Sequence, residues 1–152
     1  AVVLTSQGTS FLLAGEEFLR TKQGNENSYN ASYEVNELNY ELKVQHKDLF
    51  ENYKSLIKLN VDTKLFNKNS ESCKEINVTI NEDANIIVYD VIDENTNRQY
   101  RIVHSNGYIG SNNKTVDLSG FTLYLDTLKL NPELTSSTKI SEYQTIIAYK
   151  NL

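Results

Sequence analysis

Short runs rich in β-branched residues fill the second half of the chain, and they constrain the fold more than any other feature. Residues 76–80 alternate strictly between apolar and polar side chains, which predicts a strand with one buried face. Residues 86–92 are almost continuously apolar, which predicts a central strand covered on both faces. The turn-forming residues 93–97 and the run 99–104 then predict a hairpin.

Further short strands are predicted at residues 116–118, 121–125 and 145–149, with the last of them closing the sheet. Short strands at such spacing are typical of an antiparallel β-sandwich, here over residues 75–152. The polar, charge-mixed residues 63–74 before them are predicted to be a linker. The single cysteine, Cys73, excludes an internal disulfide framework and a cysteine-based zinc site.

One amphipathic helix is predicted in the first half, over residues 46–60. Its apolar residues recur at spacings of three and four, and its lysines and Glu51 fall on the opposite side. Upstream, the apolar run at residues 11–14 ends at Gly15 and predicts a buried strand, although periodicity alone leaves a buried helix open. A polar loop follows, and α/β folds and barrels place active-site loops after such strands.

The segment SQGTSFLLAGEEFLRTKQGNENSYN, residues 6–30, resembles the region around the eighth barrel strand of type I pullulanases. The resemblance continues through VNELNY at residues 35–40 and through residues 49–59, which are similar to the family's eighth barrel helix. It implies a mainly β chain in which the last strand and helix of a (β/α)8 barrel precede the antiparallel β-sandwich. The implied division is barrel fragment 1–62, linker 63–74 and β domain 75–152.

Type I pullulanases are bacterial enzymes of the α-amylase superfamily that cleave α-1,6-glucosidic bonds in pullulan, starch and glycogen-type glucans. The resemblance implies an α-glucan substrate in the intact enzyme. The family's catalytic carboxylates lie on earlier barrel strands, so this chain is predicted to contain none of them and to be inactive alone. Two alternatives stay open: a stand-alone carbohydrate-binding module, and a surface or structural accessory β domain without a ligand.

The resemblance implies that Asn27, Tyr29 and Asn30 line the sugar cleft. These side chains suit that role, since amides can bond sugar hydroxyls and an aromatic ring can pack on a sugar's C–H face. Several members of the family carry Asp where this chain has Asn27, Asn30 and Asn39, so the resemblance does not extend to charge-dependent roles at these positions. Glu16 and Glu17 cannot flank one scissile bond from a single strand, because successive side chains point to opposite faces. They are predicted to be structural, paired with Arg20 or Lys22.

The ten tyrosines could also form a carbohydrate-binding face on the β domain, with Tyr100, Tyr108 and Tyr124 as candidates. More often, tyrosines on strands pack at the edge of the core. The two histidines, His46 and His104, have no cluster of ligands around them in the sequence, so neither a metal ion nor a cofactor is expected.

The net charge of −5 disfavours binding to nucleic acid or to an anionic membrane, and no apolar stretch has the length of a membrane span. The chain contains no methionine, so Ala1 is not expected to be the native start. A barrel strand without its neighbours has unpaired edges, and residues 1–45 are therefore expected to rearrange, to swap between copies or to self-associate. The sequence does not distinguish a cytoplasmic location from a secreted or cell-surface one.

Overall fold

The protein is described by a computed structural model that covers residues 1–67, 77–82, 85–106 and 114–152. Its helices are α1 (Val2–Thr5), α2 (Tyr33–Asn36), α3 (Glu41–Gln45) and α4 (Lys47–Thr63), with 3-10 turns at Glu16–Phe18 and Ser28–Asn30. Its strands are β1 (Val78–Asn81), β2 (Ile86–Asp93), β3 (Arg98–Ser105), β4 (Thr115–Val116), β5 (Thr122–Asp126), β6 (Thr138–Lys139) and β7 (Thr145–Asn151). The predicted mainly β fold class is confirmed.

Five strands form one antiparallel sheet in the order β1-β2-β3-β7-β5, and β4 pairs with β6 in a separate two-stranded sheet. The predicted hairpin is present, because β2 and β3 pair along their whole length from Ile86 opposite Ser105 to Asp93 opposite Arg98. The sequence predicts that the last strand closes the sheet. This prediction is wrong, because β7 lies between β3 and β5. Its β-branched residues are consequently buried on both faces of the sheet.

Two predictions about individual strands are wrong. β1 lies at the edge of the sheet, and its apolar side chains Val78 and Ile80 are 54% and 64% exposed, so the alternation does not create a buried face. β2 lies next to this edge and leaves Ile87 and Ile92 exposed, whereas β3 is the central strand. Alternation reports only that a strand has two different faces, and burial depends on which layer reaches each face. Ile76 lies outside the described residues.

Each face of the five-stranded sheet carries its own apolar cluster. Helix α4 and the residues after it cover one face, in a cluster formed by Leu4, Leu56, Leu59, Leu65, Phe66, Val91, Tyr100, Ile102 and Ile147. The two-stranded sheet and its loops cover the other face, in a cluster formed by Ile86, Val103, Leu118, Ile140, Ile146 and Ala148. The alternation of β3 and β7 therefore stabilises both layers at once.

Helix α4 confirms the predicted amphipathic helix and continues past residue 60 to Thr63. Lys64 then takes a left-handed conformation with φ 51°, and its amide caps the helix by donating to the Asn60 carbonyl. Leu65 and Phe66, inside the predicted linker, are fully buried between α4 and the sheet. Residues 68–74 of that linker, including Cys73, lie outside the described residues, and the division into domains stays a prediction.

Residues 11–14 are not a strand in this structure. Phe11 is 85% exposed and Leu13 is 48% exposed, while only Leu12 packs partly against the α4 side of the core. A strand needs neighbouring strands for its backbone groups. The strands described here pair with one another in the β sheets, so residues 11–14 run in irregular conformation between α1 and the Glu16–Phe18 turn.

Candidate functional site

The loop that follows residues 11–14 begins with a tight turn at Gly15. Gly15 has φ 98°, and a Cβ atom there would lie 2.6 Å from the Cβ of Arg20, so only glycine fits without displacing the arginine. Arg20 donates from Nη1 to the Ala14 carbonyl at 3.3 Å and from Nη2 to the Asn36 carbonyl. The arginine therefore closes the turn and connects it to helix α2.

The two adjacent carboxylates do not pair with the nearby cations. Glu17 accepts a hydrogen bond from the Gly15 amide at 2.9 Å, which stabilises the turn. Neither Glu16 nor Glu17 forms an ion pair with Arg20 or Lys22 within the described ranges, so this part of the prediction is wrong. Burial, with smaller contributions from Glu16 and Glu17, raises the pKa of Tyr53 on α4, and Glu17 lines the same groove as Tyr53.

Asn36 organises the rest of the loop from the end of α2. Its side-chain amide donates to the carbonyls of Ser28 at 2.8 Å and Ala31 at 3.3 Å. Lys22 donates to the Ser28 hydroxyl at 2.5 Å and lies 3.4 Å from the Asn36 side-chain oxygen. These bonds hold the Ser28–Asn30 turn in place, and Ser28 is itself buried. A loop fixed by a network of this kind can present the neighbouring side chains in a defined geometry.

The predicted sugar-lining residues Asn27, Tyr29 and Asn30 lie together on the solvent side of this loop. All three are exposed, and the Tyr29 side chain is 82% exposed. Within the described part of the chain, no hydrogen bond engages their side chains. The structure thus holds the backbone rigidly from the inside, through Ser28 and Asn36, and leaves one phenol ring and two amides available to a ligand.

Sequence reasoning missed the supporting role of Ser28 and Asn36, and it assigned Lys22 to the wrong partner. The signal was present in the sequence, because the residues 35–40 that include Asn36 are similar to the same family as the loop itself. Nothing in the local sequence shows that Asn36 folds back over Ser28, since this contact depends on the path of the chain between them.

The three tyrosines proposed from the sequence for a sugar-binding face on the β domain have different surroundings. Tyr100 is only 3% exposed and packs in the core beneath Tyr149, with ring centroids 5.9 Å apart. Tyr124 is 38% exposed and meets Tyr100 edge to face at 6.5 Å. Tyr108 lies outside the described residues. Tyr100 therefore belongs to the core and cannot present its ring to a ligand.

His104 is buried among hydroxyl groups, and His46 precedes helix α4 at its N-terminus. Within residues 1–67, 77–82, 85–106 and 114–152, no group of three or more His, Cys, Asp or Glu side chains is arranged to hold a metal ion. In the same ranges, no helix has the length and apolar character needed to cross a bilayer.

Comparison with known proteins finds similarity to pullulanases in sequence and in fold. No protein-family model matches the chain. A pullulanase from Bacillus subtilis strain 168 is 41% identical over 59 residues, a stretch that is 39% of this chain and 8% of that protein. This chain thus spans a small part of the length of the curated relative that it matches.

Two solved pullulanase structures share the fold over almost the whole chain. A pullulanase from Anoxybacillus sp. LM18-11, solved in complex with maltotriose, matches 98% of this chain with a TM-score of 0.81 and 22% identity. A pullulanase from Bacillus acidopullulyticus matches 98% with a TM-score of 0.72 and 25% identity. The matches cover 21% and 19% of those chains, so this chain spans about a fifth of their length. The resemblance to pullulanases is therefore confirmed, and the matches are consistent with a C-terminal part of such a protein.

Proposed function

We propose that this chain, a homologue of pullulanase-type glycoside hydrolases, is the C-terminal part of an enzyme that cleaves α-1,6-glucosidic bonds in pullulan, starch and glycogen-type glucans. The observation that carries the proposal is the loop at residues 15–36, in which buried polar contacts hold an exposed set of sugar-compatible side chains. The 41% identity to a pullulanase over 59 residues supports the same conclusion.

In this proposal Asn27, Tyr29 and Asn30 contact the glucan. The Tyr29 ring offers a flat apolar face to the C–H side of a glucose residue, and the two amides donate to or accept from its hydroxyls. Lys22, Ser28 and Asn36 act as positioning residues, because their hydrogen bonds fix the backbone that carries the three contacts. Glu16, Glu17 and Arg20 keep a structural role at the Gly15 turn.

We place the catalytic carboxylates in sequence upstream of this chain. Retaining glycosidases need a carboxylate nucleophile and a carboxylic acid about 5–5.5 Å apart across the scissile bond. Glu17 is engaged with the Gly15 amide, and Glu16 is its direct neighbour, so these two do not provide such a pair. We therefore expect the chain by itself to be inactive on pullulan.

An apolar face beside the loop supports the proposal that another structural unit covers it in the intact enzyme. Residues of the 11–14 segment and of α4 line a groove of about 630 Å³ that includes Leu13, Ile57 and Val61. These three side chains are 48%, 41% and 68% exposed. In the intact enzyme we expect the barrel to cover this face, and in the isolated chain we expect self-association or a domain swap through it.

The alternative, an accessory β domain with a structural or carbohydrate-binding role, applies to residues 75–152. The burial of Tyr100 argues against a binding face built from the strand tyrosines. The packing of Leu65 and Phe66 against both α4 and the sheet favours a structural role for this domain, which braces the helix and hence the loop.

The decisive experiment compares two proteins. One is the 152-residue chain, and the other is the same chain preceded by its upstream barrel sequence. The release of reducing ends from pullulan is measured for both. We expect activity only from the longer protein. Hydrolysis of pullulan by the short chain, or a longer protein that is inactive on α-1,6 bonds, would contradict the proposal.

A further inference from the structure

A second cleft, of about 480 Å³, opens on the β domain between the β1–β2 side of the sheet and strand β4. Val88 of β2 and Val116 of β4, both half-buried, form an apolar floor above the buried Ile86. Asn77, just before β1, and Thr79 on β1 line the cleft from the edge of the sheet, and Thr115 lines it from β4. The register places Thr79 opposite Val88, so the polar rim stands directly beside the apolar floor.

The rim side chains are available to a ligand. Asn77 and Thr79 are exposed, and in the described ranges neither side chain has a hydrogen-bond partner. They are two residues apart on an extended chain, which separates them by about 7 Å along the rim. The rim can therefore reach more than one polar group of the same ligand.

An ion pair closes one end of the cleft. Arg101 donates from Nε to one Asp90 oxygen and from Nη2 to the other, both at 2.7 Å, and from Nη1 to the Asp117 carbonyl at 2.8 Å. The pair is mostly buried, with side-chain exposures of 24% for Arg101 and 19% for Asp90. A guanidinium group has five N–H donors, so two remain beyond these three bonds. Arg101 is thus fixed in orientation and still able to donate to a ligand oxygen.

The charges around the cleft balance. Asp90 and Asp117 are matched by Arg101 and by Lys150, which lies within Coulombic reach of Asp117. Hydrogen bonds from Ser119 are the main cause that lowers the pKa of Asp117, so its charge persists at neutral pH. A site without surplus charge offers little to a phosphate or to a cation and favours an uncharged polar ligand.

We propose that this cleft is a second ligand site that binds an uncharged, polyhydroxylated ligand of the oligosaccharide class. The apolar floor of Val88 and Val116 faces the C–H side of a sugar ring. Asn77, Thr79 and the free donors of Arg101 bond the hydroxyls around it. The volume of the cleft lies within the range that is typical of small-molecule sites. The site is independent of the loop that carries Tyr29.

The test is a titration of the isotope-labelled chain with maltotriose, followed through the backbone amide signals. We expect shifts at residues 77–79, 86–90 and 115–117. We expect Asn77→Ala and Thr79→Val each to weaken binding at these signals roughly fivefold, the loss typical of one hydrogen bond. Thr122→Val is the matched control, because Thr122 is also an exposed threonine on an edge strand, at the opposite side of the sheet.

A Tyr29→Ala variant separates this proposal from the proposed function, because it removes a contact of the loop and leaves the cleft intact. Shifts confined to the loop, or cleft binding that Asn77→Ala and Thr79→Val leave unchanged, would overturn the inference. A parallel titration with inorganic phosphate covers the other ligand class. Binding of phosphate at the cleft signals without binding of maltotriose would also overturn it.

Discussion

The Nε2 atom of His104 lies 2.9 Å from the hydroxyl of Thr5, a residue 99 positions earlier in the chain. The other ring nitrogen, Nδ1, lies 2.9 Å from the hydroxyl of Thr145 on β7. Tyr89 on β2 donates to the Thr5 carbonyl at 2.8 Å. Buried hydrogen bonds thus connect α1 to three strands, and the segment that leads into the candidate loop is held to the β sheet at this point.

The first prediction concerns the stability of the fold at acid pH. Burial, assisted by the nearby N-terminal amine of Ala1, lowers the pKa of His104 from 6.5 to about 4. As pH falls below 6.5, His104 becomes protonated in the unfolded chain but stays neutral in the folded chain until the pH nears 4. Above pH 6.5 the ionisation of His104 therefore does not change the free energy of unfolding. On acidification to about pH 4 it lowers the free energy of unfolding by up to about 3 kcal/mol.

Urea unfolding of the parent and of His104→Gln between pH 4 and pH 7 measures this effect. We expect the variant to be less stable at pH 7, because it loses well-placed hydrogen bonds, and to lose less stability on acidification. His46→Gln serves as the control, since His46 lies at the start of α4 away from this network. Parallel curves for parent and His104→Gln would show that the buried histidine does not carry the pH dependence.

The second prediction concerns the turn that opens the candidate loop. In Gly15→Ala the new methyl group would collide with Arg20, and φ 98° is also unfavourable for alanine. Gly24→Ala is the matched control, because Gly24 has φ 74° but no atom within 4 Å of the added Cβ. We expect backbone strain of about 1 kcal/mol for the control and a clearly larger loss for Gly15→Ala. Equal melting temperatures for the two variants would mean that Arg20 moves aside at no cost.

The third prediction tests the order of the strands. Val103 on β3 is fully buried and pairs directly with Val88 on β2, which is only half-buried. An unpaired carboxylate at a fully buried position costs several kcal/mol, so we expect Val103→Asp to unfold the domain. Val88→Asp leaves its carboxylate at the edge of a cleft, and we expect a loss of about 1–3 kcal/mol in chemical unfolding. A reversed ranking of the two variants would contradict the observed sheet.

The fourth prediction separates binding from stability at the candidate loop. Tyr29 is highly exposed, so we expect Tyr29→Ala to change the free energy of unfolding by no more than about 0.5 kcal/mol. In the longer, barrel-containing protein we expect the same variant to lower kcat/KM on pullulan by about 2- to 10-fold, the value of one aromatic packing contact. Tyr143→Ala, an exposed tyrosine of the β domain, is the control. An unchanged kcat/KM would remove Tyr29 from the proposed binding surface.

Local sequence was sufficient for the elements whose partners are close by in the chain. Helix α4 follows from apolar residues one turn apart, and the β2–β3 hairpin follows from two β-branched runs joined by a turn-forming segment. The resemblance of residues 6–30 to pullulanases could also be identified from the sequence, because the combination of EEFLRTK with NSY is specific. Hairpins and amphipathic helices are formed by contacts of short sequence separation, and these contacts leave a periodic signature.

Tertiary structure decided the features that depend on distant partners. β7 lies in the sheet between β3 and β5. Residues 11–14 are not a strand, because no neighbouring strand pairs with them in the described sheets. Leu65 and Phe66 belong to the core. In the candidate loop, Asn36 folds back on Ser28, and Arg20 covers Gly15. The sequence by itself determined which residues are apolar, flexible or able to bond. Only the folded chain determined which of them meet, because long-range pairing depends on the layer that covers each face and not on the pattern of either segment alone.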